Sequence, residues 1–137
     1  MREIKYRAKC FGGTYWRYGW PVQNATGQTF IQWIGKDEFG MPSMDSERVQ
    51  PETLSQYTGL RDGFDREIYE GDIMQFGASD SLDFGDVYYS NGTYIVRGKE
   101  VSVDLGVMLN DPARYNARVV SNVFDNPKLL GNSWRPL

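Results

Sequence analysis

The chain has 137 residues, a formal net charge of −3 and an aromatic share of 15%. It contains no histidine and one cysteine, Cys10, which excludes histidine-dependent nucleophilic sites and the usual zinc sites. The sequence contains no run of twenty apolar residues, so we expect no transmembrane helix. The N-terminal residues MREIKYRAKC lack the apolar segment of a signal peptide. A lone cysteine without a secretion signal indicates the cytoplasm, with Cys10 buried or half-buried.

The first half of the chain predicts three strands. Residues 2–9 alternate polar and apolar side chains, Gly12-Gly13 marks a turn, and Pro21 is expected to end the strand after it. TFIQWIG (29–35) is apolar on both faces, so we expect it to be covered on both, with Trp33 buried. Residues 36–51 are polar and contain Gly40 and Pro42, which favours a loop.

The second half predicts closely spaced strands. LSQYTG (54–59) is expected to be extended, although Pro51 also fits the start of a helical turn. EIYEGDIMQF (67–76) resumes as strand, and Ser90-Asn91-Gly92 between VYY and TYIV is a strong hairpin signal. EVSVDLGVML (100–109) alternates as a strand does, and ARVVSNVF (117–124) predicts the last strand. KLL (128–130) follows a proline and predicts a short turn or helix.

These elements define an all-β fold with one or two short helical turns. Short antiparallel strands at this spacing predict a partly open barrel or a sandwich. Within it, GDIMQF and GDVYYSNGTYIVR are typical of an SH3-like small barrel. We expect a single domain over residues 1–137, with an aromatic-rich subdomain over 1–50 and a barrel-like one over 51–130 as the alternative.

The segment YTGLRDGFDREIYEGDIM (57–74) combines glycines, acidic residues and apolar residues in a way that favours a structural role. Gly59 and Gly71 are expected where the backbone needs positive φ or a close approach. Asp62 and Asp72 are expected to accept backbone N–H groups. The core contacts are assigned to Tyr57, Ile68, Tyr69 and Ile73, and the solvated or ion-paired positions to Arg61, Arg66 and Glu70.

Three blocks of the sequence resemble the YopX family, whose members are small proteins of phages and prophages. The blocks are MREIKYRA, ETLSQYTGLRDGFDREIYEGDIM and VVSNVFDNPKLL. The resemblance implies a mostly β fold and a phage or prophage origin, and it supplies no catalytic residues. The chain departs from the family at the GFDR turn, where Phe64 is expected to be exposed, and at Lys9, where an aromatic residue is common.

Two groups of carboxylates are candidates for a cation site or an acid/base pair. Asp80, Asp83 and Asp86 recur at every third position, whereas calcium loops place ligands at every second position and end in a glutamate, so a mobile acidic loop is favoured. An acid/base pair drawn from Glu67, Glu70 and Asp72 has no supporting pocket in the sequence. We therefore expect no metal, no cofactor and no enzymatic activity.

The aromatic cluster near the N-terminus is the candidate binding site. Aromatic residues interleaved with arginine occur at protein interfaces and on platforms that stack single-stranded nucleic acid, although they also fill the cores of small β-domains. The acidic balance favours a protein partner or a second copy of the chain over nucleic acid, which is the alternative. The candidate binding residues are Tyr15, Trp16, Arg17, Tyr18, Trp20 and Phe64.

Overall fold

The computed structural model describes residues 3–78, 80–132 and 134–136, which fall into two compact units, Met1–Tyr57 and Thr58–Leu137. The first unit contains the strands β1 (Tyr6–Lys9), β2 (Trp16–Gln23), β3 (Thr29–Lys36) and β4 (Pro42–Arg48) and a 3-10 turn at Pro51–Thr53. Strand β5 (Ser55–Arg61) begins in the first unit and ends in the second. The second unit continues with β6 (Glu67–Tyr69), β7 (Asp72–Ala78), β8 (Ser81–Ser90), β9 (Thr93–Arg97), β10 (Ser102–Asp104), α1 (Leu105–Leu109), α2 (Pro112–Tyr115), β11 (Arg118–Asn122) and a 3-10 turn at Pro127–Leu130.

The strands of the first unit form an antiparallel sheet in the order β4-β3-β2-β1-β5. An isolated bridge between Cys10 and Val49 also joins the chain beyond β1 to the chain beyond β4. The buried residues Ala8, Ile31 and Val49 form the core of this unit, with Trp33 packed against them. Cys10 is buried, as predicted.

The structure corrects three predictions in the first unit. Residues 42–48 are a strand, not a loop, because an edge strand that pairs with a single neighbour tolerates a proline and polar side chains. Pro21 does not end β2, since the pairing with β1 stops at Gly19 and Pro21 pairs with β3 alone. β3 is covered on one face only: Ile31 is fully buried, but Ile34 is 63% exposed and Trp33 is half-buried.

The second unit is built on an open antiparallel sheet in the order β10-β9-β8-β7-β11, and the end of β5 neighbours β6. The core side chains come from β6 to β9, α1 and β11 and include Ile68, Met74, Val87, Val96, Leu105 and Met108. Asn91 and Gly92 both have positive φ in the turn between β8 and β9, so the predicted hairpin is confirmed.

The structure also corrects four predictions, three in the second unit and one at the N-terminus. β10 ends at Asp104, whose side chain accepts the N–H of Val107 and starts α1, so 105–109 is helical. The acidic segment from Ser81 to Asp86 belongs to β8 and is not a loop. EIYEGDIMQF is two strands separated by the Glu70-Gly71 turn. The N-terminal strand is Tyr6–Lys9 and is shorter than the predicted strand over 2–9, of which Arg2 lies outside the described residues.

The all-β prediction is confirmed, because the described residues contain eleven strands and only two short α-helices. The 3-10 turn at Pro127–Leu130 confirms the predicted short turn there. The sheets remain open within the described residues. The SH3-like portion and the single domain, with its alternative division at residue 50, stay predictions.

The segment 57–74 has the structural roles expected of it. Gly59 and Gly71 have φ of 85° and 82°, and the four apolar residues assigned to the core are buried. The Asp62 carboxylate is buried and accepts the backbone N–H groups of Phe64, Arg66 and, from β11, Val119. Asp72 accepts the N–H of Tyr69.

Three hairpin turns share one five-residue design. In each turn the side-chain oxygen of the first residue accepts the N–H groups of the third and fifth residues. The fourth residue has positive φ, as in a type I turn followed by a left-handed residue. The turns span 24–28, 37–41 and 62–66, with Gly27, Gly40 and Asp65 at the fourth position.

We predict that Asp65→Gly stabilises the protein, because Asp65 has φ of 64° and glycine adopts that conformation without strain. The lost ion pair with Arg61 is highly exposed and contributes little. The free energy of unfolding from urea denaturation should rise by about 0.5–1 kcal/mol. The matched reverse change, Gly40→Asp, should lower the free energy of unfolding by a similar amount. Gly40 also has positive φ, and no neighbouring atom would clash with the added side chain, so only the backbone strain changes. A loss of stability in Asp65→Gly would contradict this account.

Candidate functional site

The sheet of the first unit has two chemically different faces, which the strand register defines. Side chains alternate along each strand, and paired residues on neighbouring strands share a face. The inner face carries the core residues Ala8 and Ile31. The outer face comprises Arg7, Lys9, Trp16, Tyr18, Trp20, Val22, Phe30, Gln32, Ile34, Lys36, Pro42, Met44, Ser46 and Arg48.

The charges of β1 to β4 are segregated between these faces. The outer face carries four basic side chains, those of Arg7, Lys9, Lys36 and Arg48. The two acidic residues in these strands, Asp45 and Glu47, pair with Trp33 and Ile31 and so lie on the inner face. The outer face of the four strands is therefore basic, although the chain as a whole is acidic.

Aromatic and aliphatic side chains fill the space between the outer-face cations. Tyr18 and Trp20 are 47% and 46% exposed, and Ile34 and Met44 are more exposed still. Trp16 is half-buried, and its ring centre lies 4.7 Å from the guanidinium carbon of buried Arg7. The Arg48 guanidinium carbon lies 3.7 Å from the centre of the Phe11 ring. Aromatic rings and cations thus lie side by side on one sheet face, with Arg7 buried beneath Trp16 and the other cations at least partly exposed.

A polar cluster on the inner face is centred on Glu47. Its carboxylate accepts hydrogen bonds from the Tyr15 hydroxyl and from Arg17 Nε, the latter at 2.8 Å. The Arg17 guanidinium also lies against two rings, 5.1 Å from the centre of Tyr15 and 4.6 Å from that of Trp33. These contacts hold Arg17 on the inner side, beside the carboxylate.

The titration of this cluster follows from its hydrogen bonds. The bond from Tyr15, followed by that from Arg17, lowers the pKa of Glu47 to about 2. The bond to Glu47 raises the pKa of Tyr15 to about 12. Burial is the main reason that the pKa of the Cys10 thiol is raised, so Cys10 is not an activated nucleophile.

The structure divides the candidate binding residues into three groups. Trp16, Tyr18 and Trp20 lie on the outer face, whereas Tyr15 and Arg17 lie with Glu47. Trp16, Arg17, Tyr18 and Trp33 also line a shallow depression of about 190 Å³. Phe64 is exposed, as predicted, but belongs to the Asp62 turn of the second unit.

Sequence reasoning missed the outer-face residues of β3 and β4. Phe30 belongs to the predicted strand 29–35, whereas the predicted loop over 36–51 contains Lys36, Met44 and Arg48. Their common face became visible once β4 paired with β3. The signal was present in the alternation of Met44, Ser46 and Arg48 with Asp45 and Glu47.

The other carboxylates serve structural contacts. Asp86 is buried and accepts two hydrogen bonds from Arg97, at 3.1 and 3.2 Å. Glu67 accepts from the Tyr69 hydroxyl and lies 3.5 Å from Arg61. Within the described ranges, no group of three or more cysteine or acidic side chains is arranged to hold a metal ion.

The chain belongs to the YopX family, since the family model described as YopX protein matches residues 5–131. The crystal structure of protein EF1440 from Enterococcus faecalis is similar, with 19% sequence identity and a TM-score of 0.61. The alignment covers 95% of this chain and 99% of that one, and it supports the fold alone. No curated protein matches the sequence. None of the helices in the described residues is long and apolar enough to span a membrane.

We predict that Glu47→Gln returns the pKa of Tyr15 from about 12 towards 10, the ordinary value, because the charged acceptor is lost. In the unmodified protein, the bond stabilises the fold while Tyr15 is protonated, and this contribution is lost as pH rises from 10 to 12. The contribution of Glu47 is complete above pH 4.5 and is lost as pH falls towards 2.

Carbon-13 NMR of the tyrosine rings measures this titration, with Tyr15→Phe identifying the Tyr15 signal among those of the nine tyrosines. Titration of Tyr15 near pH 10 in the unmodified protein would show that the Glu47 bond does not form in solution.

Proposed function

We propose that the protein is a non-enzymatic module that binds single-stranded nucleic acid through the outer face of its first unit. One observation carries the proposal: the outer face combines exposed aromatic rings with three cations that are at least partly exposed, Lys9, Lys36 and Arg48, and the acidic side chains of its strands lie on the opposite side. Cations that follow a phosphate backbone and rings that stack on bases are the two elements of single-strand binding surfaces.

The geometry favours a single strand over a duplex. Tyr18 and Trp20 are on the same side of β2, and Phe30 lies on that side of β3. Their rings offer surfaces on which bases can stack. The bases of an unpaired strand are accessible to such rings, whereas those of a duplex are stacked on one another. Arg48 pairs with Phe30 and Lys36 lies at the end of β3, so a cation is available beside the rings and at the end of the strand.

The acidic net charge of the chain does not oppose this function, because the charge is unevenly distributed. The first unit has seven basic and six acidic residues, for a formal charge of +1. The second unit has eight basic and twelve acidic residues, for −4. Charges separated by more than about 8 Å are largely screened at physiological salt, so the local basic face governs attraction to phosphates.

A protein partner or a second copy of the chain, which the sequence favoured, is the second candidate. It is supported by the uncharged outer-face positions Val22, Ile34 and Met44, all of which are exposed. In addition, β4 lies at the end of the strand order and pairs with β3 along its length, and edge strands readily add a further strand.

The family supports a biological setting for either candidate. The resemblance to YopX proteins implies a gene carried by a phage or prophage, and a single buried cysteine favours work in the reducing cytoplasm of the bacterial host. We propose an accessory role there without an enzymatic step.

The test is the fluorescence anisotropy of a labelled twenty-nucleotide oligothymidylate titrated with the full chain. We expect binding that falls with salt, because about three phosphate contacts give a slope of log affinity on log salt of about −2. Trp20→Ala should weaken binding about tenfold through loss of stacking. Lys36→Gln should flatten the salt slope by about 0.7.

Matched controls separate the outer face from general effects. Phe39→Ala removes an aromatic ring that is 81% exposed but lies in the β3–β4 turn, and Lys128→Gln removes a cation of the second unit. Both should bind like the unmodified protein. Equal binding of a duplex, or equal loss in Phe39→Ala and Trp20→Ala, would refute the proposal. Salt-independent self-association abolished by Ile34→Ser with Met44→Ser, measured by sedimentation, would instead support the second candidate.

A further inference from the structure

The second unit contains a separate cavity between β8, β9 and the C-terminal segment, with a volume of about 290 Å³. Among the described residues that line it, three are cations, two are aromatic, and none is acidic. Its lining includes Phe84, Arg97, Lys99, Trp134 and Arg135. A concave site with a few converging charged groups and apolar walls is the usual form of a small-molecule site, and this volume suits a small ligand.

The cavity is held in shape by a buried carboxylate. Asp86 accepts hydrogen bonds from Arg97 Nε and Nη2 and from the indole N–H of Trp134, at 3.1 to 3.2 Å. Arg97 Nη2 also donates to the backbone carbonyl of Arg135 at 3.0 Å. These bonds fix a guanidinium and an indole ring together on the wall, with the Arg97 carbon 5.7 Å from the ring centre.

The electrostatic balance of the cavity is positive. The charge of Arg97 is matched by Asp86, which leaves Lys99 and Arg135, both exposed, as the net charge of the wall. The neighbouring carboxylate of Asp83 accepts the backbone N–H groups of Phe84 and Lys99 and does not line the cavity. Arg135 Nη1 donates to the carbonyl groups of Asn132 and Trp134, which holds its guanidinium at the rim.

We propose that this cavity binds a nucleoside monophosphate, with the planar base against Trp134 and Phe84 and the phosphate at Lys99 and Arg135. Aromatic rings accept a stacked base, while ammonium and guanidinium groups are the usual partners of phosphate. A phosphate without a base leaves the aromatic wall unused, and a nucleoside without a phosphate leaves the cations unused. The site lies within the second unit and is independent of the outer face.

Isothermal titration calorimetry of the full chain with the four ribonucleoside monophosphates tests the proposal, with inorganic phosphate and the matching nucleosides as separate arms. We expect at least one monophosphate to bind about tenfold or more tightly than its nucleoside and than inorganic phosphate. Lys99→Gln with Arg135→Gln should weaken that binding about tenfold or more. Both side chains are exposed, so the variant is expected to fold.

Further arms identify the source of the effect. Lys128→Gln, which removes a cation that does not line the cavity, should bind like the unmodified protein. The Lys99→Gln, Arg135→Gln variant should retain its affinity for the oligothymidylate, so failure at one site is distinguishable from failure at the other. No binding of any monophosphate at millimolar concentration, equal binding of inorganic phosphate, or unchanged affinity in the double variant would overturn the proposal.

Discussion

Glu47 accepts hydrogen bonds from both Tyr15 and Arg17, and the chemical difference between the two faces of the first sheet depends on this arrangement. The carboxylate and its partners are held on the inner side, together with Asp45. Arg17 is neutralised there, and the strand register places the remaining cations of the four strands on the outer face without an acidic neighbour in those strands. A chain of net charge −3 thereby presents a local basic and aromatic surface.

Much of the fold could be predicted from local signals. Asn91-Gly92 specified its hairpin because both residues adopt positive φ, and Asp62 was identified as a turn acceptor from its position before a glycine. The errors lie where strand pairing or a capping side chain decides the outcome. β4 exists because β3 supplies a complete partner, and 105–109 is a helix because the Asp104 side chain caps it, at a point where the sequence alternates as in a strand.

The candidate site was predictable only in part. The aromatic cluster around Trp16 and Trp20 stood out in composition, but its division between two faces needed the register of β1, β2 and β3. The contribution of Arg48 depended on recognising β4 as a strand. No sequence pattern predicted the cavity beside Arg97. Its cations and rings come from segments about forty residues apart, which only the folded chain brings together.

The central claim is that the outer face, and not another aromatic surface, contacts an unpaired strand. It is tested most directly by the indole N–H signals of the four tryptophans in a nitrogen-15 spectrum during titration with oligothymidylate. We expect the Trp20 signal to shift in proportion to bound strand, while Trp134, hydrogen-bonded to Asp86 in the second unit, stays in place. A shift of the Trp134 signal with an unchanged Trp20 signal would contradict the claim.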